Sequence, residues 1–420
     1  MSRPSTRTPN PWYVAVLSGM VSYLDAGAIV TTGTALVIFR QSFGIDDLQY
    51  GILSAILTVA IGVGALVGGP AGDRLGRKPV FMATLTLYVV GTALMILAPS
   101  TEWLYPGLLL LGFAAGADLP VSLSMIAEAA TDANRGKMIS FTHILWMGGV
   151  IAVGFLGSFV GDLGLLGARI MYGHLAAIAI VVLILRIRLP ESEAWINSRN
   201  LQTVDPDAPQ GMRALKLIFQ PRYLGAMIAT ALFYALANIA ANTNGQFGSL
   251  LYVEVAGATV SQASLITTLV TFVSAASLLL MMRVVDGPRR MAWFIAMSVL
   301  ALVAFLIPAV SGITILTLVL FGVLYSIAGA VAGEPMFKVW SQELFPTQIR
   351  ATAQSITIAF ARFVAAGVGV VTPSLISFGP SVVFYFMAVT SAAACAIGIF
   401  WIARMRKATE DDPALVATTP

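Results

Sequence analysis

The sequence predicts an all-α integral membrane protein with twelve transmembrane helices in two pseudo-symmetric six-helix bundles. Three observations carry this. Hydrophobic residues make up 58% of the chain and charged residues only 10%, against about 25% charged in soluble domains, and the mean hydropathy is +0.87. The apolar residues gather into twelve stretches, each long enough to cross about 30 Å of hydrocarbon as a helix. Polar spacings in the first half recur in the second, at an offset near half the length.

The polar run from Ser2 to Pro11 precedes a first apolar stretch, 12–38, that is long enough to span and stay, so no cleaved leader is expected. Asp25 lies near the middle of that stretch. The second and third stretches, 48–69 and 79–98, carry no charged side chain. The ten residues from Gly69 to Lys78 between them read as a tight, charged turn. Its glycines allow a sharp reversal. Asp73 suits the positive end of a neighbouring helix, and Arg74, Arg77 and Lys78 hold the turn on the cytoplasmic side. Gly62, Gly64 and Gly68 sit in an apolar helix, where they mean close packing rather than a phosphate loop.

The fourth stretch, 104–127, carries Asp118 in its inner half and leads to Glu128 and Arg135. The fifth, 138–160, adds His143 and Trp146, a polar group and a stacking surface. The sixth, 168–187, carries His174, to which no role is assigned. Residues 188–222 are polar and include Asp205-Pro206-Asp207-Ala208-Pro209. They read as a cytoplasmic linker, with a short interfacial helix over 212–219. The domains expected are 1–187, the linker 188–222, and 223–420 with a short cytoplasmic tail.

The seventh stretch, 223–252, holds Asn238, Asn242, Asn244, Gly245 and Gln246. Carboxamides both donate and accept, which suits polyhydroxylated ligands. Their clustering beside a glycine suits a broken or kinked helix lining a cavity; interhelical hydrogen bonding is the alternative. Stretches 262–282 and 291–310 flank Asp286-Gly287-Pro288-Arg289-Arg290, a degenerate counterpart of the first charged turn. The tenth stretch, 313–341, carries Glu334 and Lys338, four apart and able to pair on one face. Pro335 between them kinks the helix. Trp340 reads equally as packing or as a ligand platform. Glu343 and Arg350 follow. In the eleventh stretch, 351–376, Arg362 lies about 16 Å deep. The twelfth, 381–403, contains the single cysteine, Cys395, which says nothing about redox compartment.

Glu128 and Arg135 are seven apart, as are Glu343 and Arg350, and the two pairs are offset by 215. Asp73 and Asp286 are offset by 213. Such offsets predict duplicated halves related by an axis along the membrane normal. With the N-terminus inside, twenty of the 24 Lys and Arg residues fall in tails, cytoplasmic loops or the helix ends facing them. Only Arg40 and Arg169 lie outside. This predicts cytoplasmic termini in the cell membrane and accounts for the net charge of +4 without a nucleic-acid partner.

Charges deep in a bilayer cost several kcal/mol, so they point to function. Asp25, Asp118 and Glu334 face Lys338 and Arg362, which leaves one acid unmatched. An unpaired, desolvated carboxylate takes up a proton. Proton coupling is therefore expected, with Asp25 the first carrier and Asp118 the second. The bland alternatives are that Glu334–Lys338 is only a buried pair and that Asp118 bonds neighbouring backbone.

The run G-x-x-x-D-R-x-G-R-K from Gly69 to Lys78 resembles the signature loop between helices 2 and 3 of the major facilitator superfamily of secondary transporters. Pro190-Glu191-Ser192 with Trp195 resembles the P-E-S-x-x-W stretch of its sugar porters and related metabolite:proton symporters. Glu343, Phe345, Pro346 and Arg350 are similar to the E-x-F-P-x-x-x-R stretch after helix 10. The resemblance implies that Asp25 is the coupling acid of helix 1. It also implies that Gly69, Asp73, Arg74, Gly76, Arg77, Glu128, Arg135, Glu343 and Arg350 form a cytoplasmic gating network, which latches the halves in the outward-open state. There are departures. The helix 4 arginine that partners the acid in sugar porters falls near Leu108 here. Their two helix 5 glutamines align with His143 and Val150, and their helix 10 tryptophan aligns with Lys338. Asp118 resembles the helix 4 aspartate of phosphate:proton symporters.

The expected function is proton-coupled import of a small polyol or sugar, inositol-like compounds among them, by alternating access. The substrate site would include His143, Trp146, Asn238, Asn242, Asn244, Gln246, Glu334, Lys338, Trp340 and Arg362. The alternative substrate is a small organic or inorganic anion held by Lys338 and Arg362. No catalytic constellation, metal-ligand cluster or cofactor motif is found. The partners expected are the substrate, protons and the lipid bilayer, with a monomeric chain.

Overall fold

The computed structural model describes residues 10–130, 134–192, 195–196, 218–284, 287–345 and 347–405. Among these, twelve segments are long and apolar enough to span a membrane. The first half comprises α1 (Pro11–Phe43), α2 (Asp47–Leu75), α3 (Arg77–Leu97), α4 (Leu104–Ala129), α5 (Arg135–Val160) and α6 (Leu165–Ile187). The second comprises α7 (Pro221–Leu250), α8 (Val260–Val284), α9 (Arg290–Ser311), α10 (Ile315–Ala332), α11 (Glu334–Leu344), α12 (Thr347–Phe378) and α13 (Pro380–Ala396). The tenth span is α10 and α11 together. Because the spans alternate, Pro11 and Arg404 lie at one face, here called the terminal face. Phe43 and Asp47 lie at the opposite face.

Local chemistry sets several ends. The Asn10 side chain accepts from Trp12 N, and Pro11, which has no N–H to lose, opens α1. Asp46 and Gln49 form a capping box at the start of α2, and Thr314 and Thr317 form one at α10. The turn expected over Gly69 to Lys78 is in fact a single residue. α2 runs on through Pro70 to Leu75, Gly76 reverses the chain at φ +104°, and α3 begins at Arg77. That left-handed backbone is why a glycine stands there.

Two expected kinks resolve differently. α7 stays α-helical through Gly245, and the irregularity comes later, as a π turn over Leu251–Val255. The amides alone do not break it, because each residue keeps its helical backbone partner. The tenth span breaks completely, at Gly333 (φ −100°, ψ −136°). Pro335 then sits in the first turn of α11, where a missing N–H costs nothing. Of the expected helix over 212–219, residues 212–217 lie outside the described residues, as does Asp286 of the second charged turn.

The halves meet through α1 against α7, α2 against α12, and α5 against α8. Close approach is purchased with small residues. A Cβ on Gly51 of α2 would run into the backbone of Val370 on α12. Gly64 and Gly68 face the α4 backbone at Phe113 and Ala117, as packing glycines should.

Candidate functional site

The intramembrane charges converge between the halves. Asp25 on α1 is 7% exposed and makes no ion pair among the described residues. Its countercharge is Arg362, across the seam on α12, and the Trp146 indole of α5 lies close to its carboxylate. The stem of Arg362 lies against Gly62 of α2. One helical turn before Trp146, the His143 ring lies parallel to the indole with centroids 5.9 Å apart. His143 faces Glu334 and Lys338 of α11 electrostatically. Those two pair at 2.8 Å, and their side chains remain 49% and 52% exposed although they sit within a membrane span. The break at Gly333 places them in the first two turns of a separate helix.

Residues on α7 at every fourth position share one helix face. Tyr234 stacks on Phe337 at 4.2 Å and lies close to Glu334. Tyr234 is not among the expected site residues, and its place four residues before Asn238 is the signal that marks it. The Asn238 carbonyl oxygen is buried with no partner among the described residues. Asn242 accepts from the Gln246 amide at 2.9 Å. Gln246 also donates to Thr58 and accepts from Ser54, both on α2. Gln246 is thus an interhelical bond in this conformation, and Asn244 is half-buried. Trp340 does not join the site. It is 3% exposed and packed edge-on against Phe233 and Phe294, because the aromatic cluster at the foot of α11 fills that face.

Asp118 is held elsewhere. Arg186, at the end of α6, donates to both its oxygens at 3.0 and 2.9 Å. Arg186 also donates to the carbonyls of Leu17 and Ser18 and to the Ser122 hydroxyl, and it lies over the Phe81 ring. Thr84 donates to Asp118 from α3. Arg186 is a further intramembrane base besides Lys338 and Arg362. With it, three acids face three bases. Helical spacing from Leu175 through Ala179 and Val182 puts Arg186 on the buried face of α6, and that was the missed signal. His174 of the same helix meets Tyr23 at 2.7 Å.

At the terminal face each half holds its own charge cluster. Arg77 donates to Asp73 at 2.7 Å and to Glu128 at 2.7 Å. Glu191 accepts from the backbone of Arg77 at 2.9 Å and Lys78 at 3.1 Å, so the linker's first carboxylate caps α3. Trp195 donates to the Asp73 carbonyl at 2.8 Å. Gly69 lies beside Pro120, and Arg74 is exposed. In the second half Arg290 donates to Glu343 at 2.8 and 3.0 Å. The side chains of Arg135 and Arg350 lie outside the described residues. No cluster of His, Cys, Asp and Glu able to hold a metal ion occurs among the described residues.

A family model described as Major Facilitator Superfamily matches residues 15–257 and 236–418. Among curated proteins, the chain is 32% identical to the Minor myo-inositol transporter IolF of Bacillus subtilis over 354 residues, 83% of this chain and 80% of that protein. It is 31% identical to the Arabinose-proton symporter of Escherichia coli over 43% of this chain and 38% of that protein. Among solved structures, the D-xylose-proton symporter aligns with a TM-score of 0.75 at 20% identity, covering 92% of this chain and 96% of that one.

Proposed function

The chain belongs to the Major Facilitator Superfamily, and we propose that it imports a small polyol or sugar together with protons, with inositol-like compounds the first candidates. One observation carries this reading. A buried carboxylate, Asp25, stands without an ion pair among the described residues, between the halves that also carry a carboxamide stripe on α7 and the half-exposed Glu334–Lys338 pair. A site of that kind can take up a proton and hold hydroxyl groups. The unpartnered Asn238 carbonyl oxygen is satisfied by a ligand hydroxyl donor. The names of the inositol and arabinose relatives support the substrate class.

In the cycle we infer, the two units 1–187 and 223–420 rock about the central site, joined by the linker 188–222. Asp25 is protonated from outside, substrate binds, and both leave toward the terminal face, which we read as cytoplasmic. Asp118 serves as a fixed structural charge rather than as a second carrier, because Arg186 already neutralises it. The Asp73–Arg77–Glu128 and Arg290–Glu343 clusters, with Arg135 and Arg350, are read as a cytoplasmic latch that re-forms between the halves in the other conformation. We read the chain as acting in the cell membrane as a monomer.

A second reading has its own support. Arg362 makes no ion pair or hydrogen bond among the described residues and stands ready, with Lys338, to hold an anion. Currents from purified protein in proteoliposomes test both. A current with neutral polyols that grows as outside pH falls is expected. A response to small anions alone overturns the polyol reading in favour of the second.

A further inference from the structure

We propose that Arg40 is a cross-half latch at the opposite face, pairing with Glu254 while that face is shut and falling back on Asp47 when it opens. Several hydrogen bonds and ion pairs between described side chains cross between the halves toward this face. Arg40 Nε on α1 forms an ion pair with Glu254, in the π turn after α7, at 3.2 Å. The Thr34 and Ser249 hydroxyls meet at 3.4 Å. Asp162 and Ser261 exchange two bonds at 3.2 and 3.1 Å, each backbone N–H donating to the other's side chain. Gln246 bonds to Ser54 and Thr58 beneath them.

Arg40 differs from the rest in holding a second acid. It donates to Asp47 of its own half at 2.7 Å and lies over the Tyr50 ring at 5.7 Å. These two fix the guanidinium inside the first half whether or not the partner half is present. Glu254 therefore meets a donor already oriented, which limits the ordering cost of each closure. On opening, Arg40 keeps one carboxylate, so no guanidinium is stranded without a partner. Both side chains of the cross-half pair are partly exposed, at 20% and 28%, so water can replace the lost contact on the Glu254 side. These are the properties of a bond made and broken in every cycle, in contrast to the sealed Arg186–Asp118 pair, exposed by 0% and 3%.

The inference requires that the halves rock, as in the function proposed above, but its test does not depend on any substrate or coupling ion. The single cysteine is removed by Cys395→Ser, and Thr34→Cys with Ser249→Cys are added to the full chain. The replaced hydroxyls are close enough for the new thiols to form a disulfide when the face is shut. The rate of cross-linking by copper phenanthroline in proteoliposomes then reports the shut population. Adding Glu254→Gln should slow the cross-link about two- to fivefold, the scale of one partly exposed ion pair. Adding Asp47→Asn instead should leave the rate unchanged or raise it, since Arg40 then has Glu254 alone. Equal rates with and without Glu254→Gln overturn the proposal, as does equal slowing by both substitutions, which would make Arg40 a local brace. Failure of the cysteine pair to cross-link in the parent protein overturns it too. Thermal unfolding of each variant, expected within a few degrees of the parent, separates a released latch from a misfolded chain.

Discussion

The guanidinium of Arg186 grips both oxygens of Asp118, at 3.0 and 2.9 Å, from the terminal-face end of α6. The same group holds the carbonyls of Leu17 and Ser18, two turns before Asp25 on α1. One buried cation thereby fixes α1, α4 and α6 relative to each other and sets where the unpaired acid stands.

Breaking that pair from one side should be costly. Asp118→Asn leaves a buried guanidinium short of its countercharge, and a loss of about 3–5 kcal/mol is expected, against a far smaller one for a well-packed Asp118→Leu, Arg186→Met double variant. Thermal unfolding in detergent measures both. Equal losses for the single and double variants would show that the charges themselves do not matter there.

Asp25→Asn should abolish proton-driven accumulation while sparing exchange of labelled substrate for unlabelled. The amide keeps the shape of the carboxyl but cannot cycle a proton. Uptake that remains should also lose its dependence on outside pH. Accumulation against a gradient by this variant would refute the coupling role of Asp25.

The α7 amides should separate into two classes. Asn238→Ala removes an acceptor that has no protein partner, so apparent KM should rise at least about fivefold, the scale of one lost hydrogen bond, with little change in unfolding temperature. Gln246→Ala removes bonds to Ser54, Thr58 and Asn242, so it should lower thermal stability as well. Parallel KM and melting curves distinguish the two; identical behaviour would merge the classes.

Gly76→Ala should destabilise the first half by about 1–3 kcal/mol, because φ is +104° there and a Cβ would strike the Glu191 carboxylate that caps α3. Glu191→Ala in the same chain removes the collision but not the strained φ. The double variant should therefore recover only part of the loss, read by the same melts.

Much of the fold was legible because hydrocarbon imposes a simple rule: a span needs about twenty apolar residues with every backbone group bonded internally. That rule located the twelve spans, and the signature residues around Asp73 and Arg77 pointed to the superfamily. The site was legible in part, since Asp25, Lys338 and Arg362 stand out against apolar surroundings by cost alone. Trp340 shows the limit of that signal. An aromatic side chain is cheap both in a core and in a cavity, and only its contacts with Phe233 and Phe294 tell which.

By itself, the sequence determined the number of spans, the family, and which charges are too expensive to be idle. Only the tertiary structure decided how those charges are shared. Arg186 lies 68 residues from Asp118, and pairing over such a distance is set by which helix faces meet. The same holds for Gln246 with α2 and for Arg40 with Glu254. Periodicity tells a residue's face, but its partner depends on helix packing that no local pattern records.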